Sequence, residues 1–159
     1  MNKHGFVLSG ILLLAAVSAP AEEKNKKNVC VEPNPQSQCS AANTCGSPSS
    51  SCSVDVKRTA SSAAVIAATP APKNNALFCV ATGTKLDWKS ESKNTGFVVD
   101  FADQSPFEPS GAIIGGSDRT VTVQAKSPGC YRFSVGACVS GGRQGMCADT
   151  DSEVVVTAK

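Results

Sequence analysis

Apolar and polar residues alternate with a period of two in several short runs of the C-terminal half. In residues 84–90, Leu86 and Trp88 alternate with Lys85, Asp87 and Lys89, which places one face of a strand in a core and the other in water. Residues 96–101 repeat the scheme, with Phe97, Val99 and Phe101 on one face and Val98 and Asp100 on the other. In residues 119–125, Val121, Val123 and Ala125 oppose Thr120, Thr122 and Gln124; Tyr131, Phe133, Val135 and Ala137 continue the pattern, and residues 153–158 form a last strand. With residues 77–80 this gives about six short strands, separated by Gly, Pro, Ser and Asn clusters at 104–110, 115–118 and 140–145. No segment sustains a helical period. The pattern predicts an all-β fold, a small antiparallel β-sandwich over residues 76–159 with Trp88 in its core.

The N-terminal half reads differently. Residues 22–52 hold Cys30, Cys39, Cys45 and Cys52 among Ser, Asn, Pro and Gln, with almost no large apolar side chains. Such a segment builds no hydrophobic core, so its order depends on cross-links, and the expectation is a largely irregular Cys-rich segment. Residues 53–75 are rich in Ser, Ala, Thr, Pro and Lys and include Thr69-Pro70-Ala71-Pro72, the composition of an extended linker. Within them Val65 and Ile66 offer an alternative, an additional strand at 63–68.

Residues 1–21 carry Lys3 and His4, a 12-residue apolar run at 6–17, and the small-x-small pattern Ala19-Pro20-Ala21. This reads as a secretory signal peptide cleaved after Ala21, because about 20 apolar residues are needed to span a bilayer. No membrane span is expected after cleavage, and Cys30 lies too far downstream to be a lipid-bearing first residue. The expected location is the periplasm of a bacterial envelope or the extracellular medium.

Composition then narrows the chemistry. Fifteen basic and 13 acidic residues leave +2, without the basic excess of a nucleic-acid binder, so no nucleic-acid partner is expected. His4 is the only histidine and falls in the signal segment, so the exported chain has no Ser-His or Cys-His catalytic pair. The expectation is a protein that is not an enzyme and carries no cofactor.

Eight cysteines in an exported chain point to disulfides. Cys138 and Cys147 flank a glycine-rich loop between adjacent strands and are expected to pair, which leaves Cys79 for Cys130; alternation alone does not choose among the three connectivities of four cysteines. The first four cysteines are separated by eight, five and six residues, without the two-residue knuckles of structural zinc sites or of thioredoxin-like motifs. Disulfides are therefore expected there as well, with copper or zinc binding, or thiol exchange, as the alternative.

Asp149, Asp151 and Glu153 alternate and are read as the solvated edge of a strand, lacking the ligand number and glycine turn of a calcium loop. Phe107, between Pro106 and Pro109, and Met146 mark a candidate binding loop; the competing reading of Phe107 is a plug at the sandwich end.

The motifs Gly83-Thr84-Lys85-Leu86-Asp87-Trp88, Val99-Asp100-Phe101 with Ser105-Pro106-Phe107, and Pro128-Gly129-Cys130-Tyr131-Arg132-Phe133 leading to Val154-Val155-Val156 resemble the cupredoxin-like sandwiches of exported bacterial proteins. The resemblance covers about half of the chain and implies a Greek-key sandwich. It also implies where copper ligands would fall: a thiolate near Val135, histidines near Gly96 or Phe97 and around Cys138, with Met146 matching in type. The resemblance thus supports the fold without its copper site. The reading as a whole is an exported, disulfide-stabilised binding or structural module whose partner is an unknown protein or cell-envelope component.

Overall fold

The computed structural model describes residues 30, 34–101, 104–139 and 147–158. Ten strands are present among them: β1 Cys52–Arg58, β2 Ala63–Ala67, β3 Phe78–Ala81, β4 Lys85–Ser90, β5 Thr95–Asp100, β6 Phe107–Glu108, β7 Ile113–Gly116, β8 Val121–Ala125, β9 Gly129–Val139 and β10 Cys147–Thr157. They form two five-stranded sheets that face each other as a sandwich. The first has the order β2-β1-β4-β8-β6 and the second β3-β10-β9-β5-β7. The all-β sandwich expected from alternation is present.

Its pairing is mixed rather than antiparallel throughout. β1 runs parallel to β4, with Val54 opposite Trp88, and β3 runs parallel to β10, with Cys79 opposite Val155. The reason lies in residues 53–75, which are not a linker. Val54 and Val56 alternate with Asp55 and Lys57 to make β1, and Ala63, Val65 and Ala67 face the core from β2, the strand offered as the alternative. Once β1 and β2 occupy one side of the first sheet, β4 docks beside β1 in the same direction.

The inner faces meet in an aromatic spine. The Phe133 ring lies 5.8 Å from Trp88, 5.2 Å from Phe101 and 6.5 Å from Phe78. Phe107 extends the spine, edge-on to Trp88 at 6.5 Å and to Phe101 at 5.5 Å. Five aromatic side chains, Phe78, Trp88, Phe101, Phe107 and Phe133, are thus joined in one network. Trp88 is fully buried, as expected.

β7 occupies residues whose glycines read as breakers. Both glycines are needed where they stand: a Cβ on Gly115 would come 2.5 Å from the Phe97 ring, and Gly116, at φ +130°, would put one 2.5 Å from the Gly96 Cα. β10 starts six residues earlier than the run 153–158, because its inward side chains there are Ala148, Thr150 and Ser152, which give no apolar signal.

The cysteines form four disulfides: Cys30–Cys130, Cys39–Cys79, Cys45–Cys52 and Cys138–Cys147. The pair Cys138–Cys147 is as expected, whereas Cys79 does not bond Cys130. Both oppose Val155, from the strands on either side of β10, and so stand two strand spacings apart, about 10 Å, beyond the ~7 Å that a disulfide bridges. Each is instead bonded to a cysteine of the N-terminal segment.

Candidate functional site

The N-terminal segment is a strap over one half of the second sheet. Cys30, Cys79, Cys130 and Val155 form a small buried cluster on the outer face, closed by Cys39 and Leu77. Thr44 forms a parallel bridge with Cys79; the Cys45 N–H donates to the Cys79 carbonyl at 2.8 Å and the Cys79 N–H to the Asn43 carbonyl at 2.9 Å. Within the strap the Asn43 side-chain oxygen accepts from the Ser40 N–H, and its amide donates to the Gln38 carbonyl. The Cys45–Cys52 bond then hands the chain to β1 in the other sheet. The four cysteines read as an irregular segment are thus the fastening of the sandwich.

The other half of that outer face is open. Register places Ile114 of β7, Val98 of β5, Gly136 of β9 and Asp149 of β10 in one row. The next row holds Asp100, Ser134 and Asp151, and the one after it Arg132 and Glu153. Beyond Arg132 and Glu153 the strap begins at Cys130 and Val155.

Among the described residues, Val98 and Ile114 are the exposed large aliphatic side chains, 38% and 69% accessible, and they are direct cross-strand partners. Gly136 forms the floor beside them. A Cβ there would press on Val98 Cγ1 at 3.2 Å, so the glycine lets Val98 lie flat.

The acidic side chains lie to one side of this pair. Asp149, Asp151 and Glu153 share the outer face, as their alternation predicted, and Asp100 joins them from β5. The lone cation of these rows, Arg132, holds Asp151 through Nη2 to Oδ2 at 3.0 Å, and the Ser134 hydroxyl donates to Asp151 Oδ1 at 2.7 Å. This half of the face is therefore acidic in a chain whose formal charge is +2. The pair with Arg132 is exposed and contributes little stability, under about 1 kcal/mol.

Phe107 is not an exposed anchor. It is 3% accessible and takes part in the aromatic spine, because the short strand β6 turns it inward opposite Ala125. Met146, the glycine-rich loop around it, and residues 1–21 lie outside the described residues. Cys30, Cys39, Cys45 and Cys52 are all in disulfides and offer no thiolate. Val135, where the resemblance would put a copper thiolate, is buried in the core. Among the described residues, no three His, Cys, Asp or Glu side chains converge on a point where a metal ion would fit.

A cleft of about 230 Å³ opens where the strap meets the connection from β2 to β3, lined by Asn43, Ala67, Thr69, Lys73, Leu77 and Phe78. Its one ionisable side chain is Lys73, so it brings no acid and base together. Among the described residues no helix is long and apolar enough to cross a membrane. The chain matches no known protein-family model, and no curated protein sequence matches it.

Proposed function

We propose that the protein is an exported, disulfide-stapled binding module without a catalytic centre, and that it recognises a protein or cell-envelope partner through the open half of the outer face of its second sheet. One observation carries the reading. The chain covers one half of that face with a doubly cross-linked strap, yet leaves Val98 and Ile114 uncovered side by side on the other half. The acidic residues to one side of them, on β5 and β10, favour a partner that offers an apolar side chain with lysine or arginine on that side. Four disulfides are compatible with a periplasmic or extracellular location. The metal or thiol-exchange alternative draws no support from N-terminal cysteines that are all bonded.

The test places a photo-reactive residue at Val98 and, as a control, at Lys89 on the outer face of the first sheet, in cells that express the whole chain. Adducts formed from position 98 and absent from position 89 support the reading. Equal adducts from both positions, or none from 98, overturn it. Cleavage after Ala21 is read from the N-terminal sequence of the same material.

A further inference from the structure

A two-sheet sandwich has four edges, and the chain closes three of its own. On β2, the Asn75 side chain accepts from the Val65 N–H at 2.8 Å and the Asn75 N–H donates to the Val65 carbonyl at 2.9 Å, as a paired strand would. On β3, the strap bonds both backbone groups of Cys79. β6 is two residues long and ends at Pro109, which has no N–H to offer. β7 is the exception. Apart from its ladder with β5, the only backbone bond of Ile113–Gly116 among the described residues is the turn bond from the Arg119 N–H to the Gly116 carbonyl. Edge strands are ordinarily guarded by lysine, proline or an inward charge, and residues 110–117 contain none of these.

We propose that β7 pairs antiparallel with β7 of a second copy of this chain, about a two-fold axis, and joins two five-stranded sheets into one of ten strands. A second copy is the occupant that the charge pattern favours. In an antiparallel strand pair centred on Ile114, that residue meets its own equivalent and its neighbours meet their mirror positions (113 opposite 115, 112 opposite 116), so an ionisable side chain at or beside the axis would crowd its like. Residues 109–117 have no ionisable side chain. Asp118 and Arg119, just past β7, come level with the uncharged Ser110 and Pro109 of the other copy. The acidic side chains of β10 stand three strand spacings back, about 14 Å from the edge, farther than the ~8 Å over which charges act at physiological salt. Pairing covers Ile114, the most exposed large aliphatic side chain among the described residues, with the Ile114 of the other copy.

The consequence extends the recognition face and rests on that reading. Two aliphatic side chains make too small a patch for a stable interface, whereas the joined sheet carries a stripe of four, Val98 and Ile114 from each copy, with acidic residues at both ends. Because the paired edges are short, the dimer is weak and responds to concentration.

Sedimentation equilibrium of the oxidised, signal-free chain tests the proposal. The expected result is a monomer–dimer equilibrium at micromolar to millimolar concentration, with amide exchange of Ile113–Gly116 slowing as concentration rises. Ile114→Lys lowers the association constant at least ~10-fold, and Ile114→Thr, which keeps the branched shape, lowers it less; near-ultraviolet circular dichroism reports that both fold. Val98→Lys leaves the dimer intact while losing the adducts formed from a photo-reactive residue placed at Asp149 in the same row of the face, so the two readings fail separately. A monomer up to millimolar concentration overturns the dimer, as does association that survives Ile114→Lys or is lost equally in Val98→Lys.

Discussion

Cys79 and Cys130 lie on opposite sides of Val155 in one sheet, each opposite it in register, and neither is bonded to the other. Their partners, Cys39 and Cys30, come from the N-terminal segment, so both bonds hold a strap across the sheet and neither ties strand to strand. The strap and not the sheet is what these disulfides stabilise, and it buries Val155 completely.

The first prediction concerns their unequal worth. Cys30–Cys130 closes a separation of 100 residues and Cys45–Cys52 one of 7. Taken singly on the chain-entropy model, these contribute about 4.7 and about 2.4 kcal/mol. Replacing Cys30 and Cys130 together by alanine is therefore expected to lower the urea midpoint about twice as far as replacing Cys45 and Cys52 together. Equal losses would show that local strap contacts, and not loop closure, dominate.

How much of this was legible can be traced to particular residues. Alternation marked Leu86, Trp88, Phe97, Val99, Val123, Phe133 and Val135 as inward-facing, and each is buried. It failed where inward side chains are small or polar, as at Ala148, Thr150 and Ser152, and where glycines serve tight packing, as at Gly115 and Gly116. β1 was obscured by composition: the alternation of Val54, Asp55, Val56 and Lys57 is as regular as that of β4, but it lies between a Cys-rich stretch and a Pro-rich one. The Cys138–Cys147 pair was legible from its loop, but the partners of Cys79 and Cys130 were not, because they depend on which strands flank β10. The open face had a partial signal. Val98 read as an outward valine among inward ones, but nothing local to it foretold that Ile114 would lie beside it.

Phe107 gives the second prediction. As an exposed anchor it would cost little stability when truncated; as a member of the spine against Trp88 and Phe101 it is expected to cost about 3–5 kcal/mol in Phe107→Ala. Denaturant unfolding followed by the fluorescence of Trp88, the only tryptophan, measures this directly. A loss under 1 kcal/mol would place Phe107 outside the core.

The third concerns the order of reduction. Cys147 is exposed and Cys138 half-buried, whereas Cys30, Cys45, Cys52, Cys79 and Cys130 are all buried. A thiolate reductant must reach a sulfur along the bond axis, so access sets the rate. Brief reduction followed by alkylation and peptide mass analysis is expected to label Cys138 and Cys147 while the other three bonds stay closed. Labels appearing first on Cys39 and Cys79 would mean that the strap lifts before the hairpin opens.

The last prediction is an alkaline one. Burial raises the pKa of Tyr131 above the ordinary value of 10.0, only partly opposed by its hydrogen bond with Ser127. The folded protein therefore holds the phenol proton more tightly than the unfolded chain does. That preference contributes stability in full below the unfolded value, and it is lost as pH rises through the higher folded value. Tyr131 is the only tyrosine, so phenolate absorbance reports its titration alone. The expected half-point lies above 10 in the folded protein and falls to about 10 in denaturant. In Tyr131→Phe the extra loss of stability in strong alkali disappears, and what remains belongs to the lysines and the disulfides. A folded-state half-point at or below 10 would mean that water reaches the hydroxyl freely, and that the packing of Tyr131 beside Pro128 and Gly129 is looser than described.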